Sequence, residues 1–127
     1  MNIEFIQKLC LGFPYATENL QWGDVLCFKV AGKLFAVLDL SSVPPCLSFK
    51  CDPEKFSELV EQEGIIPARY FGRYSWVSLE RVEVLLWSEL KDLLRESYEM
   101  VAAKAKVGEI AGKKKPRKAV RIKKVKR

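Results

Sequence analysis

Two β-prone runs separated by a short glycine-containing break constrain the fold more than any other feature of this sequence. The first run is Leu26–Val30 and the second is Leu34–Leu40, with Ala31 and Gly32 in the break between them. Because so short a break can only reverse the chain, the runs are predicted to pair as an antiparallel hairpin. The fold is therefore expected to contain an antiparallel sheet.

The register of this hairpin depends on the length of its loop. A two-residue loop would pair Val30 with Lys33, whereas a three-residue loop would pair Val30 with Leu34. Because side chains alternate between the two faces of a strand, this shift changes which residues share a face with Lys29.

Helical periodicity appears on both sides of the hairpin. Apolar residues at three- and four-residue spacing predict an opening amphipathic helix over residues 2–12. A second helix is expected to begin at Asp52-Pro53, where Asp52 can cap it, and to end at Gly64. A long third helix is predicted to contain Leu86 and later leucines, with Ser88 as a possible cap near its start.

Two further strands complete the predicted order of elements. Leu47–Lys50 follows a Pro44-Pro45 turn, and Trp76–Leu79 follows a loop at residues 68–74. The order predicts an α+β fold, in which helices pack on one side of an antiparallel sheet. A chain of 127 residues with 49% hydrophobic content is expected to form one domain, over residues 1–106.

The charge of the chain is divided very unevenly. Residues 113–127 hold ten basic residues and no acid, which leaves 12 of the 22 basic residues against all 16 acids in residues 1–112. The body is therefore acidic, at about −4, and is followed by a basic tail over residues 107–127 that is expected to be disordered when free. The ten cations of this tail are Lys113, Lys114, Lys115, Arg117, Lys118, Arg121, Lys123, Lys124, Lys126 and Arg127.

The cysteines and the N-terminal segment predict a cytoplasmic protein. Cys10, Cys27, Cys46 and Cys51 show no two-residue spacing of the kind that metal and redox sites use, so they are interpreted as free thiols in a reducing compartment. The opening residues lack the cationic and apolar run of a signal peptide, and no apolar stretch reaches bilayer length. We expect no association with membranes.

No residue pattern indicates an enzyme or a cofactor site. The sequence contains no histidine, which excludes Ser-His-Asp, Cys-His and His-metal centres, and it contains no phosphate-binding glycine motif. Four acids on the predicted second helix are interpreted as a solvated face rather than a metal site, namely Glu54, Glu58, Glu61 and Glu63. Glu4 is the only acid of the opening helix, which argues against a carboxylate site for iron.

Basic and aromatic residues alternate through the sheet region and allow two interpretations. A nucleic-acid platform combines cations that contact phosphates with rings that stack on bases. Alternation along a strand instead places the rings on the opposite face from the cations, which favours a core role for Phe28, Phe35 and Phe49. The candidate binding cations of this region are Lys29, Lys33, Lys50, Arg69 and Arg73, of which the last two lie in a surface loop with Tyr70, Phe71 and Tyr74.

The basic tail favours a nucleic acid as the partner. A polycation releases counterions from a phosphate backbone and gains affinity without reading sequence. We therefore expect a monomeric, non-enzymatic protein that binds DNA rather than RNA, with no cofactor. The alternative is a protein-interaction or small-ligand module whose tail is incidental, which the acidic body favours because phosphate repels it.

Four segments of the chain have the order and spacing of a known family. They are FPYATENLQWGD at residues 13–24, FKVAGKLFAVL at 28–38, LSFKCDPEKFSELVEQEGIIPARYFGRYSWVSL at 47–79 and ESYEMVAAK at 96–104. On these segments the chain resembles the MmcQ/YjbR family of small bacterial proteins over about residues 1–106. The resemblance implies a frataxin-like α+β fold with a double-wing arrangement and a role in DNA binding.

The resemblance also marks individual positions. The family pattern falls on Pro14, Glu18, Trp22, Lys29, Gly32, Lys33, Phe35, Lys50, Pro67, Trp76, Ser97 and Tyr98. Most of these are interpreted as turn or packing residues, whereas Lys29, Lys33 and Lys50 are candidates for binding. Many relatives carry a histidine near the loop that here contains Arg69 to Tyr74, and the tail lies outside the family pattern.

Overall fold

Three helices and six strands are found in residues 3–21, 23–69 and 75–105, which are the residues that the computed structural model describes. In chain order they are α1 (Ile3–Leu11), β1 (Ala16–Gln21), β2 (Val25–Val30), β3 (Lys33–Asp39), β4 (Cys46–Lys50), α2 (Pro53–Leu59), β5 (Ile65–Pro67), β6 (Trp76–Leu79), a 3-10 turn (Val82–Val84) and α3 (Trp87–Ala105). The strands form one sheet in the order β1-β2-β3-β4-β6-β5, in which every neighbouring pair is antiparallel. None of these helices is long and apolar enough to cross a membrane.

The predicted hairpin forms between β2 and β3 with the shorter of the two possible loops. Val30 pairs with Lys33, and the loop residues Ala31 and Gly32 have φ angles of 56° and 77°. Positive φ at both loop positions is typical of a type I′ turn, whose twist matches that of the flanking strands. Of the two loop lengths that the sequence allowed, the structure has the two-residue loop.

A β-bulge in the same hairpin turns an additional ring toward the core. Phe28 pairs with Ala36 while Lys29 pairs with Leu34, so Phe35 is the extra residue of β3. Phe35 and Ala36 are both fully buried, because a bulge lets two successive residues oppose one residue of the partner strand.

The helices cover one face of the sheet and form a single core with it. From the strands, Phe28, Leu38 and Phe49 have no exposed surface, and from α3 the same holds for Leu90 and Leu94. Burial of such side chains contributes roughly 1.5–3 kcal/mol each. The predicted α+β class, with an antiparallel sheet and its helices on one side, is confirmed.

The expected end of the second helix and the expected start of the third are wrong. Helix α2 ends at Leu59 rather than Gly64, because beyond Val60 the N–H groups of Glu61 and Gln62 bond to carbonyls only three residues back. Glu61 and Glu63 therefore lie outside the helix. Gly64 instead has a φ of 89° in the turn before β5. Helix α3 begins at Trp87, so Leu86 precedes the helix, and Ser88 lies inside its first turn and does not cap it.

Strands β1 and β5 were not expected from the sequence. The ATENLQ run of β1 is largely polar because this strand lies at the sheet edge, where most of its residues are exposed or half-buried. Strand β5 has only three residues and ends in Pro67, a length too short to show any periodicity.

Candidate nucleic-acid interface

The β2–β3 turn marks one end of the sheet, at which several other elements also begin or end. Strand β1 begins there, since Ala16 pairs with Val30. Strand β4 ends and β6 begins at the same end, where Lys50 pairs with Trp76. Residues from separate parts of the sequence are therefore brought together at this end.

Lys29 and Lys50 lie on the face of the sheet opposite to the helices. Each follows a fully buried phenylalanine, Phe28 in β2 and Phe49 in β4, so alternation directs the two lysines away from the core. They are two strands apart, which corresponds to about 10 Å across the sheet. We call this face, which none of the described helices covers, the open face.

Lys33 and Arg69 lie at the same end but outside the open face. Lys33 is exposed at the hairpin tip and pairs with the fully buried Val30, so it extends from the helix-covered side. Arg69 is exposed directly after Ala68, whose N–H donates to the carbonyl of Trp76 at 2.9 Å.

Lys104 joins this group from the last turn of α3. The pKa of the Lys50 ammonium is lowered, first by partial burial and second by the charge of Lys104. The sequence did not indicate Lys104, because a single lysine on a helix carries no signal of its spatial neighbours. We define the basic end as Lys29, Lys33, Lys50, Arg69 and Lys104.

Helix α3 is held at the basic end by two adjacent side chains. The N–H of Lys50 donates to Ser97 Oγ at 3.0 Å, and Ser97 Oγ donates to the carbonyl of Phe35 at 2.6 Å. Tyr98 Oη donates to the carbonyl of Pro14 at 2.6 Å. Two positions of the family pattern therefore attach α3 to the sheet and to the segment before β1, a role that the sequence did not show.

The opposite end of the sheet is acidic. The pKa of the Cys46 thiol is raised by burial, then by the charges of Asp39 and Glu80, while a hydrogen bond with Ser78 lowers it. Asp39 ends β3, and Glu80 follows β6. We define the acidic end as Asp24, Asp39, Glu63, Glu80 and Glu83, a group that also has Arg81 beside it.

Some acids also lie near the basic end, but they belong to the helix layer. Asp52 accepts a hydrogen bond from the N–H of Lys55 at 3.0 Å and caps α2, and Glu54 is exposed in the first turn of this helix. Both residues are on the helix-covered side of the sheet. The described cations of the open face, Lys29 and Lys50, lie on the other face of the sheet from these two acids.

The phenylalanines of the sheet have a structural role. Phe28, Phe35 and Phe49 have no exposed surface, so the prediction that they form the core is confirmed and they offer no ring to a base. The other predicted contact residues, Arg73, Tyr70, Phe71, Tyr74 and the ten cations of the tail, lie outside the described residues, as does Trp22.

The four thiols are free and are poor candidates for chemistry. Burial, assisted by the charge of Glu18, raises the pKa of Cys10 to about 12, and burial with Asp52 and Glu96 raises that of Cys51 to about 11. The pKa values of Cys27 and Cys46 are also raised, in both cases mainly by burial. Within the described ranges, no three Cys, Asp or Glu side chains are grouped in a way that could hold a metal.

These features define the class of the protein as a two-layer α+β domain with helices on one face of the sheet and charge separated toward the two ends of its strands. The family model YjbR matches residues 11–100. The chain belongs to the YjbR family, as its resemblance to MmcQ/YjbR proteins predicted.

Individual relatives agree with this assignment. The chain is 26% identical, over 102 residues, to "Uncharacterized protein YbdF" of Escherichia coli O157:H7, covering 77% of this chain and 82% of YbdF. The crystal structure of Deinococcus radiodurans DR2400, with a DUF419 domain, matches with a TM-score of 0.74 and 27% identity over 81% of this chain and 80% of DR2400. A Pseudomonas syringae protein shares the fold, with a TM-score of 0.66 and 18% identity over 80% and 99% of the two chains.

Proposed function

We propose that this protein binds duplex DNA without sequence preference, through its basic tail together with the basic end of the sheet. The observation that supports the proposal most directly is that five cations from β2, β3, β4, the segment after β5 and α3 meet at one end of the sheet. The chain continues from α3 into the tail at this same end. The net charge of the body therefore does not prevent it from approaching phosphate at this end.

The proposed contacts are made to the phosphate backbone. Lys29 and Lys50 offer ammonium groups on the open face, while the buried phenylalanines leave the described sheet without an exposed ring for stacking. Contacts to phosphate contribute affinity but carry no sequence information. We propose a non-enzymatic role, which the raised thiol pKa values support because the thiolate is the reactive form of cysteine.

Binding of the full-length chain to a labelled duplex can be measured by fluorescence anisotropy at several salt concentrations. If about five charges engage DNA, the logarithm of the affinity falls with the logarithm of the salt concentration at a slope of roughly −4 to −5. A chain that ends at Ala111 should lose most of this slope. Absence of salt-sensitive binding by the full-length chain would contradict the proposal.

The contribution of the basic end can be separated from that of net charge. The variant Lys29→Gln/Lys33→Gln/Lys50→Gln removes three cations from this end, and Arg81→Gln/Lys91→Gln/Arg95→Gln removes three from elsewhere on the body. Weaker binding by the first variant only would assign contacts to the basic end. Equal losses of DNA affinity in the two variants would show that only the overall charge and the tail contribute to binding.

A second candidate function is a protein-interaction module, which the acidic end favours because it could receive a basic partner. Binding of such a partner would be retained after the tail is removed, and it would weaken when Asp39 and Glu80 are neutralised. DNA binding by the tail would be unaffected by the same substitutions.

A further inference from the structure

The two edges of the described sheet differ in their ability to accept another strand. Strand β5 has three residues and ends in Pro67, which has no N–H to donate. Strand β1 has six residues and contains neither proline nor a basic residue. Because exposed edges are usually protected by short length, proline or charge, β1 is the less protected of the two edges.

The single charge on β1 is held against a helix. Both carboxylate oxygens of Glu18 accept hydrogen bonds from Gln7 Nε2, at 2.9 and 3.0 Å, which turns the carboxylate toward α1. Leu20 lies on the same side of the sheet and is 59% exposed, so α1 leaves the space beside it open. The edge therefore presents an apolar side chain next to a charge that is already engaged.

The outward backbone groups of β1 belong to alternate residues. Successive residues of an antiparallel strand direct their N–H and C=O groups to opposite sides. Ala16 directs its N–H away from β2, to the carbonyl of Phe13 at 3.1 Å, so Glu18 and Leu20 are outward residues as well. Among the described residues, no backbone group bonds to the outward N–H and C=O of Glu18 and Leu20.

A second copy of β1 fits this edge in one symmetric register. Outward residues have to face outward residues, so a two-fold axis passes through a residue and not between two. An axis at Glu18 places two carboxylates directly opposite each other, which is destabilising. An axis at Thr17 or Leu20 leaves about half of the strand unpaired. An axis at Asn19 pairs residues 17–21 and opposes no like charges.

Both faces of the strand pair are compatible in this register. On the helix-covered side, Leu20 lies opposite Glu18 of the second copy, and the two Leu20 side chains are diagonal neighbours within contact distance. On the other face, Thr17 lies opposite Gln21 of the second copy, and Asn19 lies opposite its own counterpart. Hydroxyl and amide groups in such positions can hydrogen-bond across the strands.

The flank of α1 beside this edge is also self-complementary in charge. Glu4 and Lys8 are exposed on this flank and line a shallow groove. Helix α1 runs opposite to β1, because only residues 12–15 separate them and Gln7 reaches back to Glu18. The two-fold axis therefore makes the two α1 helices antiparallel, and Glu4 of one copy lies toward Lys8 of the other. This charge complementarity favours a second copy as the occupant of the edge.

We propose that two copies of the protein pair through β1, with the two-fold axis at Asn19, and join their sheets into one. The N–H of Glu18 donates to the carbonyl of Leu20 of the second copy, the N–H of Leu20 donates to the carbonyl of Glu18, and the symmetry repeats both bonds. The sequence did not predict β1, so the expectation of a monomer did not take this edge into account. The pairing requires no DNA and is independent of the proposed function.

Amide hydrogen exchange of the full-length chain, without DNA, tests the pairing. An interface below about 1,200 Å² is typical of weak association, so we expect a dissociation constant on the order of 100 µM. The N–H groups of Glu18 and Leu20 should then exchange at least about fourfold more slowly at ~1 mM than at ~10 µM protein, by mass action. Those of Thr17 and Asn19 point toward β2 and should change much less. The sedimentation coefficient should rise over the same range.

Two cysteine substitutions test the register. Asn19→Cys and Thr17→Cys each place a thiol at an exposed position of the same face of β1. The two copies of residue 19 form a non-hydrogen-bonded pair with Cα atoms about 4.5 Å apart, which a disulfide can bridge, whereas the two copies of residue 17 are offset by about 13 Å along the strands. With oxidised glutathione as the oxidant, only Asn19→Cys should give a covalent dimer. The natural chain is the control for its own thiols.

A charge at the axis provides the matched comparison. Asn19→Asp opposes two carboxylates and should return the exchange of Glu18 and Leu20 at ~1 mM to the rate of the dilute protein. Ser57→Asp adds the same charge at an exposed position of α2 and should leave their protection unchanged. Exchange that does not depend on concentration would overturn the proposal. Equal cross-linking of the two cysteine variants, or full protection in Asn19→Asp, would overturn it as well.

Discussion

Ser97 closes a gap between two strands. The last β3–β4 pair is Ala36 with Phe49, and one residue further on the hydroxyl of Ser97 accepts from the N–H of Lys50 and donates to the carbonyl of Phe35. The side chain has no exposed surface, so water cannot replace either bond. A single hydroxyl therefore satisfies two backbone groups that the Phe35 bulge separates.

Replacing Ser97 with alanine should lower the free energy of unfolding by about 2–3 kcal/mol. The substitution leaves the N–H of Lys50 and the carbonyl of Phe35 without their partner, and each unsatisfied buried group costs roughly 1–3 kcal/mol. Urea denaturation measures the loss. Ser57→Ala, at an exposed position of α2, is the control and should change stability by less than about 0.5 kcal/mol. Equal effects of the two substitutions would contradict this role.

Cys10 should make the protein less stable at alkaline pH. Its pKa is raised from 9.0 to about 12, first by burial and then by Glu18. Between these values the folded chain keeps a proton that the unfolded chain has lost, so the free energy of unfolding falls as pH rises from about 9 to about 12. For one thiol the decline can reach about 1.4 kcal/mol per pH unit.

Denaturation at pH 8 and at pH 10.5 measures this dependence. Cys10→Ala should lower stability at both pH values because it leaves a cavity, and it should also reduce the difference between them. Lys50, whose lowered pKa acts in the opposite sense, is present in both chains and does not affect the comparison. An unchanged difference would show that Cys10 does not titrate as described.

At the scale of elements, Gly32 and Gly64 are each required in a turn next to a strand, but for different physical reasons. Gly32 has a φ of 77° with no atom within 4 Å of where a Cβ would lie, so only the backbone conformation requires glycine. Gly64 has a φ of 89°, and its Cβ would lie 2.7 Å from Cγ1 of Val84. The turn before β5 therefore depends on both conformation and space.

Substitution of the two glycines by alanine should separate these effects. Gly32→Ala should cost about 1–2 kcal/mol for the left-handed conformation alone, and Gly64→Ala should cost more because the Val84 side chain must also move. Thermal or urea denaturation gives both values. Val84→Ala should be less harmful in the Gly64→Ala chain than in the natural one, and purely additive effects would contradict the contact.

At the scale of the whole molecule, charge is separated twice. The sequence separates an acidic body from a cationic tail, and the fold places five cations of the body at one end of the sheet and acids such as Asp39 and Glu80 at the other. The cationic tail is joined to the body at the basic end of the sheet, because α3, which leads into the tail, ends there.

Ion-exchange chromatography at pH 7 tests the first separation. The full-length chain, with a net charge of +6, should bind a cation exchanger, whereas a chain that ends at Ala111, at about −4, should bind an anion exchanger. A full-length chain with all ten tail cations changed to glutamine should behave as the shortened chain does. Retention of the shortened chain on the cation exchanger would show that the basic end outweighs the acids.

The elements with strong local patterns could be predicted from the sequence. Periodicity and turn residues correctly predicted α1, the β2–β3 hairpin, β4 and β6. The alternation along β2 and β4 also correctly predicted that Phe28 and Phe49 are core residues. The polar edge strand β1 and the short β5 could not be predicted, since a strand at an edge is held by its neighbour more than by its own pattern.

What the sequence determined by itself was the α+β class, the family and the division of charge between body and tail, because each depends on composition or on residues close together in the chain. Only the tertiary structure decided the register of the hairpin, the bulge at Phe35 and the meeting of Lys50 with Lys104. These depend on strand pairing and on helix packing between distant residues. Local patterns do not encode such contacts, and the candidate interface exists only because the fold brings these cations to one end.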